Sequence, residues 1–405
     1  MRTRGRLAIG LAAALVAPTV VLAHFAEGDS CRAATGILNG PAKRIMTLPG
    51  GATARIWDTG NLARDIDEVR LVAVRIPRNT LIPRAMTAPT LTSGAMPAEQ
   101  AADNGRAVVV INGAVFDASG SFIPKRSEVV DGVVRKGDAD TDQNLALYES
   151  TRTAAFTQTA TTGLVVSPLH GTQNVGAVNW QALSKDGISV YTEEWGALAH
   201  PSGERTVVIK NGTVARVLNG ADIGAAQPGP GEKYLTARDG SRDADWLAKL
   251  SVGEVVTVTT GLSGLLPLLK GSPVIGSPDS LIGVSSLLVK DGRNRAGCGS
   301  RDETLRPRSG LMWNANGDLI VATVAGRPTA AAGGASAHQW AEYMKQLGAV
   351  NAVNLDGGFS TALLVRKTVD GPLVRLDRSD AKKTRPVADV LTFVAPDSAA
   401  GVALR

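Results

Sequence analysis

The stretch Val353-Asn354-Leu355-Asp356-Gly357-Gly358-Phe359-Ser360-Thr361 decides how this chain is read. A short apolar run breaks off into an amide, a carboxylate, two glycines and two hydroxyls. A strand built only for packing rarely ends this way. Gly357 and Gly358 carry no Cβ, so the backbone there can turn sharply and a ligand can come close to it. The flanking polar atoms can hydrogen-bond a sugar or a phosphate. Asp356 is therefore the expected centre of any chemistry. Freed N–H groups around it can cradle an anion, with Ser360 and Thr361 extending the cradle. The plainer reading is an Asp that caps a tight turn, followed by two hydroxyls that cap the next element.

Upstream, Ala349–Leu355 reads as a buried strand that delivers Asp356. The spacing before it predicts a helix over 337–347. Ser336 is placed to cap its start, Trp340, Met344 and Leu347 share one face, and Gly348 suits the position after its end. An earlier segment has the same outline: a short helix over 97–104, Gly105, the apolar strand Ala107–Ile111, then Asn112-Gly113-Ala114-Val115-Phe116. In both units a polar residue and a glycine follow the C-terminal end of a strand, where ligands bind in sheets with helical crossovers. If the two strands are neighbours, Asn112 and Asp356 face one pocket. Chance likeness of two such units is the alternative, and a lone Asn-Gly is most often an ordinary turn.

The rest of the chain reads as β structure. Asp131-Gly132, Asn211-Gly212, Asp291-Gly292 and Asn316-Gly317 each separate β-prone segments, the pattern of type I′ hairpin turns. Val207–Lys210 should pair with Thr213–Val217, and Leu311–Trp313 with Leu319–Val324. The expected fold class is α+β: β-rich mixed sheets with several hairpins, a few αβ units and one main catalytic domain. The expected division is a signal segment over 1–23, an N-terminal segment over 24–68, the main domain over 69–395 with 153–240 as the stretch an insertion would occupy, and a tail over 396–405.

Arg306-Pro307-Arg308-Ser309-Gly310 and Gly326-Arg327-Pro328 each set an arginine beside a hydrophobic strand end. A planar guanidinium suits two-point recognition of phosphate, so the pair favours an anionic ligand. Loop arginines that are merely solvated are the common alternative. Lys270-Gly271-Ser272-Pro273-Val274 lacks the spacing of a nucleotide loop, and Ser272 lacks the surroundings of a hydrolase nucleophile.

At 405 residues the chain suffices for two domains or one large one. Its formal charge is +6, but Arg2, Arg4 and Arg6 supply half of that. Without an arginine-rich stripe, a nucleic-acid partner is not expected. Met1–Ala23 reads as a secretory signal: a charged start, the apolar Leu7–Leu15, and a small residue before His24. An uncleaved anchor is the competing reading. The short apolar core favours cleavage, hence a secreted or extracytoplasmic protein without stable membrane association. Cys31 and Cys298 are the two cysteines. After export they can form one disulfide tying the N-terminus to a late loop, or remain two free or functional thiols. No metal and no cofactor are expected, because two cysteines and four scattered histidines show no ligand spacing. A structural calcium is left open.

In their order along the chain, these pieces resemble the phosphodiester glycosidase family. The matching segments are Ile111-Asn112-Gly113-Ala114-Val115-Phe116, Gly271-Ser272-Pro273, Leu288-Val289-Lys290-Asp291-Gly292, Arg306-Pro307-Arg308-Ser309-Gly310, Val324-Ala325-Gly326-Arg327, and Leu347-Gly348-Ala349 leading to Asn354-Leu355-Asp356-Gly357-Gly358. The resemblance runs from Val69 to Val394 and is strongest from Leu287 onward. It implies an exported hydrolase that cleaves a sugar C1–O–phosphate linkage of a glycosyl phosphate or cell-wall glycan, releasing free sugar and a phosphomonoester. Asp356, Asn112 and Arg308 would be catalytic. Gly113, Arg327, Gly357, Gly358, Ser360 and Thr361 would bind substrate, with Arg308 and Arg327 on phosphate and Asn112, Ser360 and Thr361 on sugar hydroxyls. Asp356 would be the nucleophile or the base that activates water, with Glu128 and Glu303 as spare carboxylates. Two departures stand out. Ala325 replaces an expected Asp, and Phe359 replaces a small residue, where it could fill part of the pocket. A non-catalytic binder of cell-wall glycans or teichoic-type polymers, and an exported phosphodiesterase that cuts the P–O bond, are the alternatives.

Overall fold

Extended backbone dominates the chain. The computed structural model describes residue 31 and residues 36–58, 69–102, 105–219, 227–267, 276–298, 304–326, 333–377 and 385–396. The signal segment, Gly271-Ser272-Pro273, Glu303 and Arg327 lie outside the described residues.

Three sheets form. An eight-stranded sheet runs in the order Arg44–Thr47, Thr53–Asp58, Arg70–Ile76, Leu319–Ala325, Arg308–Asn314, Ala349–Asn354, Ser286–Lys290, Arg293–Asn294. A five-stranded sheet runs in the order Leu373–Arg375, Leu363–Arg366, Ala107–Asn112, Asp389–Val394, Ile82–Thr87. An eleven-stranded sheet has Thr213–Asn219 and Thr257–Pro267 at its edges and Glu128–Val130 and Val133–Asp138 towards its middle. Among the described pairings, the parallel one joins Gly171–Val178 to Ile188–Thr192.

The fold is therefore mostly β, and the α+β expectation is corrected. Its αβ units rest on helical segments ahead of strands. The first of these makes one turn, Pro97–Gln100, and the strand after it lies between two antiparallel neighbours. An isolated turn that short gains too few hydrogen bonds to propagate by itself.

The hairpin reading holds. Arg205–Lys210 pairs with Thr213–Asn219, and Arg308–Asn314 with Leu319–Ala325. Asn211 and Gly212 take φ of 49° and 75°, and Asp291 and Gly292 take 51° and 72°. Both pairs lie in the left-handed region that a type I′ turn requires. Arg44–Thr47 and Thr53–Asp58 continue the same sheet as Arg70–Ile76, so that sheet is not divided between residues 68 and 69. Thr153–Ser167 pairs with both Asp142–Tyr148 and Thr257–Pro267, which makes the start of the 153–240 stretch integral to its sheet.

Strand alternation explains why the eight-stranded sheet reads as unbroken apolar runs. Successive side chains point to opposite faces, and here both faces are covered. Val72, Val74, Leu311 and Val353 join a core shared with Ile111 and Leu391 of the five-stranded sheet and Leu145, Phe156 and Ile282 of the eleven-stranded one. Leu71, Ala73, Met312 and Ala352 face the other way, onto Trp340 and Met344 of the helix Ala337–Gln346. That helix has the start the sequence predicts. The Ser336 hydroxyl accepts from the Gln339 N–H at 3.2 Å, while the Gln339 side chain accepts from the Ser336 N–H at 3.0 Å. Gly348 follows its end with φ of 97°.

Cys31 and Cys298 are joined by a disulfide with Cα atoms 5.1 Å apart. Among the described residues, no helix is long and apolar enough to cross a membrane.

Candidate functional site

Asn112 and Asp356 meet, although their strands are not neighbours. Ala107–Asn112 belongs to the five-stranded sheet and Ala349–Asn354 to the eight-stranded one. The ends of the two strands converge from different sheets. The Asn112 side-chain N–H donates to the Asp356 carbonyl at 2.8 Å, and the Asp356 N–H donates to the Gly113 carbonyl at 2.9 Å.

Asn112 is fully buried. Its side-chain oxygen accepts from the Ser309 hydroxyl at 2.7 Å and from the Ala362 N–H at 3.1 Å. With the bond to Asp356, it ties together three segments that are far apart in the sequence. This is the environment of a staple that fixes the Asp356 loop.

The glycines around Asp356 are needed for close approach. A Cβ on Gly357 would lie 2.6 Å from the Pro307 carbonyl, and Gly358 has φ of 64°. The Gly358 N–H donates to that same carbonyl at 2.9 Å. A Cβ on Gly113 would lie 1.8 Å from Oδ1 of Asp389. Asp389 is short and buried, so it cannot swing away cheaply. Gly113→Ala is expected to destabilise the fold by about 1–3 kcal/mol, the usual cost of overpacking. A denaturant midpoint equal to that of the wild type would refute this close contact.

The Asp356 carboxyl is held in a nearly dry place. Its Oδ1 accepts from the Gly357 N–H at 2.9 Å. Its Oδ2 is buried without a hydrogen-bond partner among the described residues and lies 3.6 Å from Nη2 of Arg385. Burial pushes this carboxyl above the usual carboxylate range. The Ser360 hydroxyl, the Arg385 charge and the Gly357 N–H oppose that push. Ser360 is buried, and its hydroxyl accepts from Nε and Nη2 of Arg385 at 3.0 and 2.8 Å. The Arg385 guanidinium lies over the Phe116 ring, 4.9 Å from its centroid, and Phe116 in turn stacks on Phe122 at 5.8 Å. Thr361 is buried beside them, with a hydroxyl that has no partner among the described residues.

Arg308 is placed differently from the sequence reading. On its strand, Ser309 and Leu311 face the shared core and Asn112, whereas Met312 faces the helix. Alternation puts Arg308 on the helix side. There Nε donates to the Ala335 carbonyl at 3.0 Å and Nη2 to the Thr304 carbonyl at 3.2 Å. These are the contacts of a loop brace. Phe359 is 58% exposed and stands outside the buried cluster.

Two site residues were not anticipated. Arg385 and Asp389 belong to Arg385-Pro386-Val387-Ala388-Asp389, which leads into the wholly buried strand Asp389–Val394. An Asp opening a strand that is apolar but for Thr392 was the available signal. Asp389 is 1% exposed, and its Oδ1 accepts from the Ala114 N–H at 2.7 Å. Burial, aided by the Glu128 charge, pushes its carboxyl up to about 8. Glu128 is also buried, with Arg135 donating to it at 2.9 Å, and burial raises its carboxyl too.

Two surface clefts lie elsewhere. One is lined by Glu204, Arg205, Asp239 and Asp245, the other by Lys290, Asp291, Arg293 and Arg295, and neither includes a residue of this site. Among the described residues, Cys31, Cys298 and His338 bring metal-ligating atoms within 4.8 Å of one another. The disulfide already uses both sulfurs, so they are not thiolate ligands.

The site thus brings together a carboxyl largely shielded from water, an arginine lying over an aromatic ring and a hydroxyl that accepts from that arginine. In the comparison with known proteins, residues 199–394 match the model of the phosphodiester glycosidase family. The match includes Arg308, Asp356, Ser360, Thr361, Arg385 and Asp389, and it begins after Asn112 and Glu128.

Among solved structures, the chain is similar to a hypothetical protein from Synechocystis, with TM-score 0.65 and 22% identity over 85% of this chain. It spans 62% of that protein's length. It is also similar to a putative exported protein from Burkholderia pseudomallei, with TM-score 0.60 and 21% identity, covering 82% of this chain and 75% of the other. These two likenesses concern the fold. The zebrafish N-acetylglucosamine-1-phosphodiester alpha-N-acetylglucosaminidase catalytic domain, auto-inhibited by its pro-peptide, aligns over 90% of this chain and 87% of its own at 14% identity. With a TM-score of 0.42, the two do not superpose closely enough to compare sites. No curated protein matches the chain.

Proposed function

We propose that this chain is an exported hydrolase that cleaves a sugar C1–O–phosphate linkage, as found in glycosyl phosphates and teichoic-type cell-wall polymers. The observation that carries the reading is the Asp356–Ser360–Arg385 arrangement: a carboxylate kept from water, 3.6 Å from an arginine that shares a hydroxyl with it. It lies inside the region matched to phosphodiester glycosidases.

The chemistry suits a site with few carboxylates. A phosphomonoester is a good leaving group, so the C1–O bond can break with little help from an acid. The protein must chiefly stabilise negative charge on phosphate and positive charge on an oxocarbenium-like sugar. Arg385 serves the first need and Asp356 the second, as nucleophile at C1 or as base towards water. The atoms balance when water supplies hydroxyl to C1 and a proton to the departing phosphate oxygen. The Thr361 hydroxyl, without a partner among the described residues, would take a sugar hydroxyl, whereas the N–H groups of Gly357 and Gly358 are already engaged by Asp356 and Pro307.

A product assay on the purified chain with a panel of sugar-1-phosphodiesters, with and without chelator, tests this. Free sugar plus a phosphomonoester is expected. Sugar phosphate would move the cut to the P–O bond. Glycan affinity without any product would make the chain a binding protein.

A further inference from the structure

We propose that Asp389 is a positioning residue for Asp356, acting through the Gly113-Ala114 turn, and that it sets the alkaline limit of the reaction. The proposal rests on the hydrolase reading above. Asp389 clamps that turn twice: its backbone carbonyl accepts from the Gly113 N–H at 3.1 Å, and its Oδ1 accepts from the Ala114 N–H at 2.7 Å. Gly113 then accepts from the Asp356 N–H at 2.9 Å. The backbone of Asp356 thus hangs on a turn that Asp389 shapes, and Gly113 has no room for a Cβ because Oδ1 of Asp389 fills that space.

The surroundings favour a neutral Asp389. Its strand pairs with Ile82–Thr87 and Ala107–Asn112, which place the uncharged Thr87 and Val390's partner Asn112 beside it. The charged groups that act on it are Glu128 from the Glu128–Val130 strand, Arg135 from Val133–Asp138, and Asp356. Arg135 is already engaged. It pairs with Glu128 at 2.9 Å and Glu194 at 3.4 Å, and donates to the Thr87 hydroxyl and to the carbonyls of Ala88 and Pro89. Lys136, which acts on Glu128, is itself pushed towards neutrality by burial. Among the described residues, Asp389 therefore has no cation of its own, and its Oδ2 is buried without a partner. The Ala114 N–H alone favours the charged form less than burial opposes it, and an ionised Asp389 would add a second negative charge beside Asp356 and repel an anionic substrate.

The retained proton ties stability to pH. Asp389 keeps its proton up to about pH 8 in the fold, whereas an unfolded Asp loses it at about pH 4. The fold binds the extra proton between these values. Its stability is therefore full below the lower value and falls as pH rises through the upper one.

The test compares wild type with Asp389→Asn, which keeps the acceptor for Ala114 but has no proton to lose. The pH profile of kcat/KM on a sugar-1-phosphodiester is expected to show an alkaline limb at about pH 8 in the wild type. In the variant the limb should move up by a unit or more. An unmoved limb overturns the proposal. Melting temperature against pH gives a readout independent of activity: it should fall between about pH 5 and about pH 9 in the wild type and fall less in Asp389→Asn. If no sugar phosphodiester is turned over, the hydrolase reading fails, and the melting comparison still decides whether Asp389 holds the proton. Should the variant not fold, difference infrared spectroscopy of the wild type decides. A buried carboxylic-acid band lost between about pH 6 and about pH 10 supports the proposal, and its absence at about pH 6 overturns it.

Discussion

Asp356→Asn is expected to fold and to turn over sugar-1-phosphodiesters at least about a hundredfold more slowly than the wild type, the loss typical of removing a positioned catalytic group. The substitution changes little else. An amide keeps an oxygen for the Gly357 N–H, and the backbone bonds from Asn112 and to Gly113 do not involve the side chain. Burial holds the Asp356 carboxyl above the usual carboxylate range, so its charge is carried at a cost to the fold. The amide carries no such charge, and the variant should melt no lower than the wild type near neutral pH. Catalysis by the ionised group also fixes the acid limb of the wild-type profile above that of an ordinary exposed Asp. Activity should be lost as pH falls through this raised value. Near-normal turnover in a folded Asp356→Asn protein would remove this carboxylate from the mechanism.

What the sequence made legible, and what it did not, follows from the range of each signal. Asp356 announced itself because the turn, the glycines and the carboxylate are contiguous. The hairpins and the 337–346 helix were legible for the same reason: turn residues, caps and one apolar face are local. The meeting of Asn112 and Asp356 was anticipated, but through neighbouring strands of one sheet. They meet because two sheets converge, and Pro97–Gln100 makes one turn, not the helix that a crossover needs. Arg308 shows the limit of spacing. An arginine at a strand end reads as facing the ligand, yet its side depends on a register that places Ser309 on Asn112 and leaves Arg308 to the helix side. Arg385 and Asp389 belong to a third segment, brought in by the pairing of Asp389–Val394 with Ala107–Asn112. Nothing near Asp356 in the sequence points to them.

Arg385→Ala is the second large effect expected. If this guanidinium receives the phosphate, its loss should lower kcat/KM on sugar phosphodiesters at least about tenfold, since a charge-assisted bond contributes about 1.5–3 kcal/mol. Uncharged aryl glycosides of the same sugar should suffer much less. Arg385→Lys should recover little, because one ammonium cannot both grip Ser360 through two nitrogens and lie flat over Phe116. A second readout separates this role from scaffolding. The Arg385 charge lowers the proton affinity of Asp356, so its removal should move the acid limb of the pH profile upward. Arg308→Ala is expected to behave otherwise. It removes bonds to the carbonyls of Ala335 and Thr304, so the melting temperature should fall and both substrate classes should lose activity alike. The assignment collapses if the two variants exchange behaviours. Selective loss of phosphodiester activity at unchanged stability in Arg308→Ala, with an unmoved acid limb in Arg385→Ala, would return the phosphate to Arg308 and leave Arg385 as support for Ser360.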